Sequence, residues 1–166
     1  MPKLLVNRFT DDSVGQFRVA AHIRNEDAWH LATSGRGAAA IYLWGYAAEM
    51  TVKAAWFDLI GFPESKTIST SDLRKAIEVA KNDYGISWRH GLHNIVHWAE
   101  LLIEHRIHLG QSYPNPCFGS EVVKNCLRVH ERWRVILRYK KNQAYPFEVH
   151  AVAVSTQWLL SNALRL

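Results

Sequence analysis

Five of the nine histidines lie close together in the second half of the chain, and imidazole is the side chain best suited to acid-base chemistry near neutral pH. They are His90, His93, His97, His105 and His108. His93 and His97 have the i, i+4 spacing of two metal ligands on one helix face. No glutamate follows in the pattern of a zinc protease helix, and a third ligand would have to come from another segment. The pattern therefore favours hydrogen bonding within the fold over a catalytic imidazole or a metal ligand, and we predict no metal.

A second polar group is the basic segment of residues 121–141. It contains seven basic residues against Glu121 and Glu131, an excess equal to the net charge of +5 of the whole chain. The seven are Lys124, Arg128, Arg132, Arg134, Arg138, Lys140 and Lys141. A clustered basic helix is typical of proteins that contact a polyanion. Its candidate nucleic-acid-binding residues are Lys124, Arg128, Arg132 and Arg134. The alternative is that the segment is only the solvated face of an exposed helix.

A third polar group lies in the apolar segment of residues 37–57. Small residues alternate there with large aromatic ones around most of the circumference, which predicts a central helix surrounded by others. Only Glu49 and Lys53 interrupt the apolar run, at the i, i+4 spacing that favours a helical ion pair. Burying a charge is costly unless the charge is paired. We therefore expect Arg24, Asp27 and Arg36 from the preceding segment to be their partners.

These five polar residues have two interpretations. The first is a structural network in which Asp27 and Glu49 supply the negative charges and the three basic residues the positive ones. The alternative is a polar pocket between the first two helices that holds a nucleotide phosphate. Arg138 and Tyr139 would add a guanidinium for the phosphate and a ring that stacks on a base.

The elements that must position these groups are helices. Besides the central helix, hydrophobic periodicity predicts helices over residues 13–33, 71–83, 120–139 and 148–164. It predicts a further helix that begins between residues 90 and 94 and ends near residue 110. No convincing strand pattern remains. The predicted fold class is therefore all-α, an up-and-down bundle of about five or six helices in one domain of residues 1–166. We assign the tryptophans to the core, with Trp88 as the best candidate for an exposed stacking platform.

Composition limits the class of protein further. The chain has 166 residues, of which 48% are hydrophobic and 21% are charged, an ordinary globular composition. It contains no run of about 18 uncharged apolar residues that would span a membrane, and its N-terminus does not have the pattern of a secretory signal. The two cysteines fit no metal knuckle. We expect a cytoplasmic protein with no membrane contact and no cofactor.

Three separated blocks of this sequence resemble the HEPN superfamily. The first contains RNEDAWHL at residues 24–31 and YLWGYAAEMTVKA at residues 42–54, similar to the charged first helix and the YLxGYxxExxLKA-like second helix of the family. The second, RHGLHNIVHWAELL at residues 89–102, is similar to the family's HxLxxLL helix opening. The third, WRVILRY at residues 133–139, is similar to a late WxxxxRY element of one branch.

The resemblance implies a helical bundle that is frequently a homodimer, and it implies one of two functional classes. Some members are metal-independent ribonucleases, often toxins or defence effectors, with an Arg-x(4–6)-His motif on a late helix. Others lack the motif and bind RNA or nucleotides, or pair with minimal nucleotidyltransferases. In this chain only Arg24 and His30 have a similar spacing. They lie in the first helix, where six steps separate the side chains by about 120°. His90 matches the family's histidine at the start of the fourth helix.

We therefore expect a HEPN-like protein that binds RNA or a nucleotide without cutting it, or that pairs with a nucleotidyltransferase. On this interpretation the protein is more a binding module than an enzyme. The alternative is a metal-independent HEPN-type ribonuclease with a displaced catalytic set drawn from Arg24, His30 and His90. A third possibility is an interaction module whose basic helix faces an acidic protein.

Overall fold

A computed structural model describes residues 12–89, 91–139 and 143–166. His90, Lys140 and Lys141 lie outside the described residues, and so do the side chains of Arg138 and Tyr139. The described residues form six α-helices in a bundle, which confirms the all-α prediction. The helices are α1 (Val14–Thr33), α2 (Gly37–Leu59), α3 (Thr70–Asn82), α4 (Ile95–His108), α5 (Pro116–Arg132) and α6 (Pro146–Ser161).

The central helix of the bundle is α2, as its apolar circumference predicts. It packs against α1, α4, α5 and α6. Small side chains on α2 let these neighbours approach, and Ala40, Gly45, Ala47 and Ala48 are all buried. Gly45 makes the tightest approach, because the ring of Trp133 lies directly against its Cα.

Capping side chains fix the starts of α3 and α4, and the start of α3 differs from the sequence prediction. The hydroxyl of Ser69, rather than that of Ser71, accepts the backbone N–H of Asp72 at 3.2 Å. The Asp72 carboxylate in turn accepts the backbone N–H of Ser69 at 2.9 Å, which completes a capping box. The start of α4 lies at the late end of its predicted range of residues 90–94, because the side chain of Asn94 accepts the backbone N–H of His97 and α4 begins at Ile95.

The fifth helix also differs from its predicted range of residues 120–139. Asn115 accepts the backbone N–H of Cys117 at 3.0 Å, and Pro116 occupies the first helical position, so α5 begins earlier than expected. Trp133 ends α5 with an extended backbone, and its indole Nε1 donates to the carbonyl oxygen of Tyr42 at 3.1 Å. A 3-10 helix, Val135–Tyr139, follows.

The tryptophans are core residues with one exception, which is not the one expected. Trp88 is only 8% exposed, because its ring packs edge-on against Trp98 and its Nε1 donates to the Gly91 carbonyl oxygen at 2.8 Å. The prediction of Trp88 as an exposed platform is therefore wrong. Trp29 on α1 is the exposed one, at 45%. No helix within the described residues is sufficiently long and apolar to span a lipid bilayer.

Gly45→Ala should destabilise the fold, because the added Cβ would overlap the pyrrole part of the Trp133 ring. Overpacking of this kind costs about 1–3 kcal/mol of unfolding free energy. Urea denaturation measures the loss, and Ala39→Ser on the exposed side of the same helix is the control. A Gly45→Ala protein within about 0.5 kcal/mol of the parent would contradict this packing.

Candidate functional site

The ion pair predicted between Glu49 and Lys53 is present, and it lies inside the bundle. The Lys53 Nζ donates to Glu49 Oε1, and the two side chains are only 6% and 3% exposed. The ammonium group of Lys53 also lies over the ring of Trp98, 5.2 Å from the ring centroid. The pair therefore connects α2 to α4.

His93 is the third member of this group, and the sequence did not identify it as a partner of Glu49. Its Nδ1 lies 3.0 Å from Glu49 Oε1 and 3.1 Å from Oε2. A carboxylate only accepts hydrogen bonds, so Nδ1 carries the proton and Nε2 of the neutral ring is left as an acceptor. The His93 side chain is 47% exposed although its carboxylate partner is buried. Glu49 therefore orients an imidazole that solvent reaches.

The backbone around His93 explains this geometry. His93 ends the 3-10 turn Gly91–His93, and Gly91 adopts a left-handed φ of 69°, which glycine tolerates without strain. Asn94 then caps α4, which begins at Ile95. His93 therefore lies before the helix and does not share a helix face with His97 as their spacing suggests. His97 Nδ1 instead lies 2.8 Å from Glu100 Oε2. Among the described residues, no group of three or more His, Cys, Asp or Glu side chains is placed to hold a metal ion.

Glu49 remains ionised at neutral pH despite its burial. Desolvation acts to raise the pKa of its carboxyl group, but the hydrogen bond from His93 and the charge of Lys53 outweigh that effect. The net result is a pKa below the ordinary value of 4.5. The carboxylate can therefore hold the His93 ring in one orientation across the neutral pH range.

Aromatic rings surround the buried side of His93. The ring of Tyr46 lies edge-on to it with a centroid distance of 6.2 Å, and the ring of Trp133 lies at 6.5 Å. Tyr46 and Trp133 also contact each other at 5.4 Å. The rings of Tyr46 and Trp133 cover part of the imidazole, and the remaining part of the half-exposed His93 side chain faces solvent.

An open cleft of about 390 Å³ begins at the residue after His93. Among the described residues, its polar lining consists of Ser87, Arg89, Asn94, His97 and His130. Arg89 is exposed but its backbone is fixed, because Asn94 Nδ2 donates to its carbonyl oxygen at 3.2 Å and the neighbouring Trp88 is buried. The cleft thus combines a guanidinium, two imidazoles and the N-terminus of α4, a combination that favours anions.

The other predicted ligand residues lie apart from this group. Arg24 and Asp27 form their own ion pair at 3.0 Å on the solvent side of α1, where both are about half exposed. Arg36 is exposed at the N-terminus of α2, and His30 is exposed near the end of α1. The structure therefore does not bring the five predicted residues together: Glu49 and Lys53 are buried, whereas Arg24, Asp27 and Arg36 lie at the surface. The buried face of α1 consists of apolar residues instead, namely Val14, Phe17, Ala21 and Ala28.

The predicted nucleic-acid-binding residues lie along α5 and just beyond it. Lys124 pairs with Glu121 at 3.1 Å, and Arg132 pairs with Glu131 at 3.0 Å. Arg128 and Arg134 are exposed, and neither forms an ion pair within the described part of the chain. We call the exposed side chains of Lys124, Arg128 and Arg134 the basic face. It ends beside Trp133, whose ring contacts His93.

A single sequence signal pointed towards His93. A glutamate inside an apolar helix needs hydrogen bonds for both carboxylate oxygens, and Lys53 satisfies only one side. The local sequence Gly91-Leu92-His93 before the Asn94 cap places an imidazole outside the helix, within reach of a neighbour.

Comparison of the chain with family models, curated proteins and solved structures finds no match. The likeness to HEPN proteins therefore remains a resemblance of motifs.

Glu49→Gln should lower stability at neutral pH, because it leaves Lys53 buried without a counter-charge, a loss of about 3–5 kcal/mol. A carboxyl group whose folded-state pKa is depressed stabilises the fold above its ordinary pKa and loses that effect as pH falls. The difference between parent and variant should therefore shrink below about pH 4.5.

Urea denaturation at neutral and acidic pH measures both effects. Glu100→Gln is the matched control, since Glu100 also bonds a histidine but is 40% exposed. Equal losses in the two variants, or a difference that does not shrink in acid, would contradict a buried ionised Glu49.

Proposed function

We propose that this protein binds RNA on the side of the bundle formed by the basic face and the cleft at Arg89. The observation that carries the proposal is that α5 and the residues directly after it contribute to three polar features. The α5 residues Leu127 and His130 line the cleft, Arg128 lies between them in sequence, and Arg134 follows the Trp133 that contacts His93. The basic face, the cleft and the Glu49–His93 pair are thus linked through α5.

Electrostatics support a polyanion as the ligand. Arg128, Arg134 and Arg89 are exposed guanidinium groups without an acidic partner among the described residues. Guanidinium binds phosphate oxygens in a bidentate manner, and each contact releases condensed counterions from the nucleic acid. Exposed imidazole edges favour RNA, because they can accept a hydrogen bond from a 2′-hydroxyl group.

The second candidate function is metal-independent RNA cleavage, and the geometry of His93 favours it. A general base for the 2′-hydroxyl needs an oriented nitrogen that the substrate can reach. The Nδ1 hydrogen bond of His93 to Glu49 orients the ring, and the side chain is 47% exposed. Cleavage also needs an acid for the leaving 5′-oxygen and a cation for the phosphorane. The imidazole of His97 or His130 and the guanidinium of Arg89 are the groups that we propose for these roles.

Replacing the exposed arginines Arg128 and Arg134 should weaken RNA binding, and the loss should depend on the salt concentration. The double variant Arg128→Ala/Arg134→Ala should bind a labelled, partly structured RNA at least about tenfold more weakly at low salt. Its salt slope should fall by about two, because two phosphate contacts are lost. Native gels at several salt concentrations in EDTA measure both quantities.

The matched control is Arg74→Ala/Lys75→Ala, which removes the same charge from the exposed side of α3. Equal weakening by both double variants would show that only net charge matters and would contradict a specific surface. No shift of the parent protein at low salt would favour an acidic protein partner, such as a nucleotidyltransferase. Denaturing gels of the same samples test cleavage, which His93→Gln should abolish without abolishing binding.

A further inference from the structure

A cluster of aromatic side chains joins the end of α3 to the last turns of α4, and the proposed function does not use it. Its centre is His105 on α4, which is partly buried. The ring of Tyr84, two residues after α3, lies 5.7 Å from the imidazole between centroids. Trp56 of α2 lies 6.1 Å from the same imidazole, and His108 of α4 lies at 6.4 Å. Three segments of the chain therefore meet at one titratable ring.

The imidazole of His105 has one buried nitrogen, Nδ1, that finds no hydrogen-bond partner among the residues that the structure describes. Trp56, which α2 packs against this ring, does not titrate and cannot supply an acceptor. Its own Nε1 is a buried N–H donor that likewise has no partner in the described part of the chain. In the neutral ring with its proton on Nε2, Nδ1 is only an acceptor. Protonation would create a second buried N–H group there without an acceptor, which is costly.

The electrostatic surroundings also favour the neutral ring. Desolvation by burial is the largest effect and lowers the pKa of His105 below its ordinary value of 6.5. The neighbouring charge of His108 acts in the same direction, and Asp83 at the end of α3 acts against it. Burial, together with the charges of Asp83 and Glu104, raises the pKa of Tyr84 above its ordinary value of 10.0. At neutral pH the contact between α3 and α4 therefore joins two uncharged rings.

The helix that ends at this cluster is weakly attached to the bundle. Among the residues of α3, only Ala76 and Ala80 are buried. Leu73, Ile77 and Val79 pack against the core but are partly exposed. A region with few buried apolar side chains opens locally at a lower free energy than the rest of the fold. The C-terminal end of α3 therefore relies on the aromatic cluster beside it.

We propose that the contact between His105 and Tyr84 is a pH-sensitive latch, which holds the end of α3 on α4 while His105 is neutral and releases it when His105 is protonated. A charged imidazole is stable only where water can solvate it. Tyr84 is the neighbour that gives way, because it follows the most weakly attached helix. The segment that it releases leads to Arg89 in the cleft. The latch itself does not depend on the RNA-binding proposal.

The direction of the pH dependence follows from proton linkage. A histidine with a lowered pKa in the folded state binds fewer protons there than in the open state. Its contribution to stability is complete above the ordinary pKa of 6.5 and is lost as the pH falls below that value. The latch is therefore closed at neutral pH and opens under mildly acidic conditions.

Amide hydrogen exchange of the full chain, read by mass spectrometry, tests the latch. After correction for the intrinsic pH dependence of exchange, protection of residues 70–86 should fall at least about threefold between about pH 7.5 and about pH 5.5. His105→Gln has a polar side chain that cannot be charged, and it should remove this fall. His108→Gln is the matched control, because it removes the exposed neighbouring imidazole and should retain the fall.

Tyr84→Ala provides a second variant, which should leave residues 70–86 poorly protected at both pH values because the latch cannot close. A parent protein with equal protection at both pH values would overturn the proposal. So would a His105→Gln protein with the fall of the parent, or a fall that disappears in His108→Gln alone. No nucleic acid is present in this experiment, so its failure and the failure of the RNA-binding proposal are distinguishable.

A titration of the parent protein keeps the proposal testable if thermal unfolding shows that His105→Gln does not fold at neutral pH. Proton–carbon spectra, assigned through the backbone, follow the imidazole of His105 and the ring of Tyr84 as the pH falls. The Tyr84 signals should change with the protonation of His105. Tyr84 signals that stay constant while His105 titrates would overturn the latch.

Discussion

The carboxylate of Glu49 lies inside the bundle, and the arrangement around it follows from the need to compensate one buried charge. Lys53, one turn further along α2, neutralises it, and His93 supplies the remaining hydrogen bonds. An isolated carboxylate in this position would be protonated or would disrupt the core. Because Lys53 also contacts the Trp98 ring on α4, this one charge connects α2, the turn before α4, and α4 itself.

The surface that we propose to be functional depends on this compensation. The His93 ring is about half exposed, because Glu49 inside the protein binds its Nδ1 edge. The ring of Trp133, at the end of α5, packs against His93. The ring fits there because position 45 is a glycine and has no side chain. The close contact between Gly45 and the Trp133 indole ring therefore fixes the end of α5 near His93, and Arg134 is the next residue along the chain.

The sequence predicts the structure correctly where a residue pattern is compatible with only one arrangement. The apolar circumference of α2 permits only a central helix, and Glu49 and Lys53 at i, i+4 within it permit only a pair. The sequence does not predict side-chain positions that depend on a contact between segments far apart in the chain. The His93–Glu49 bond spans 44 positions, and the local spacing of His93 and His97 suggested a helix face that the Asn94 cap prevents.

Side-chain contacts also explain why the structure differs from the sequence prediction at Trp88, Arg24 and Asp27. The burial of Trp88 depends on a hydrogen bond to Gly91 and on the Trp98 ring, and neither contact can be read from the hydrophobic periodicity of the sequence. Charge alone groups Arg24 and Asp27 with Glu49. Arg24 and Asp27 are three residues apart on α1 and form an ion pair with each other at the surface. An exposed pair of this kind contributes little to stability. Neither residue therefore needs a partner inside the bundle.

The most direct test of this account is to observe the histidine side chains while RNA is added. Proton–carbon correlation spectra of histidine-labelled protein, with the His93 signal assigned through His93→Gln, report on each imidazole. The account predicts that a short single-stranded RNA moves the signals of His93, His97 and His130 and leaves those of His22 and His30 on α1 in place. Bound RNA that moves the α1 signals and leaves His93 unchanged would contradict it.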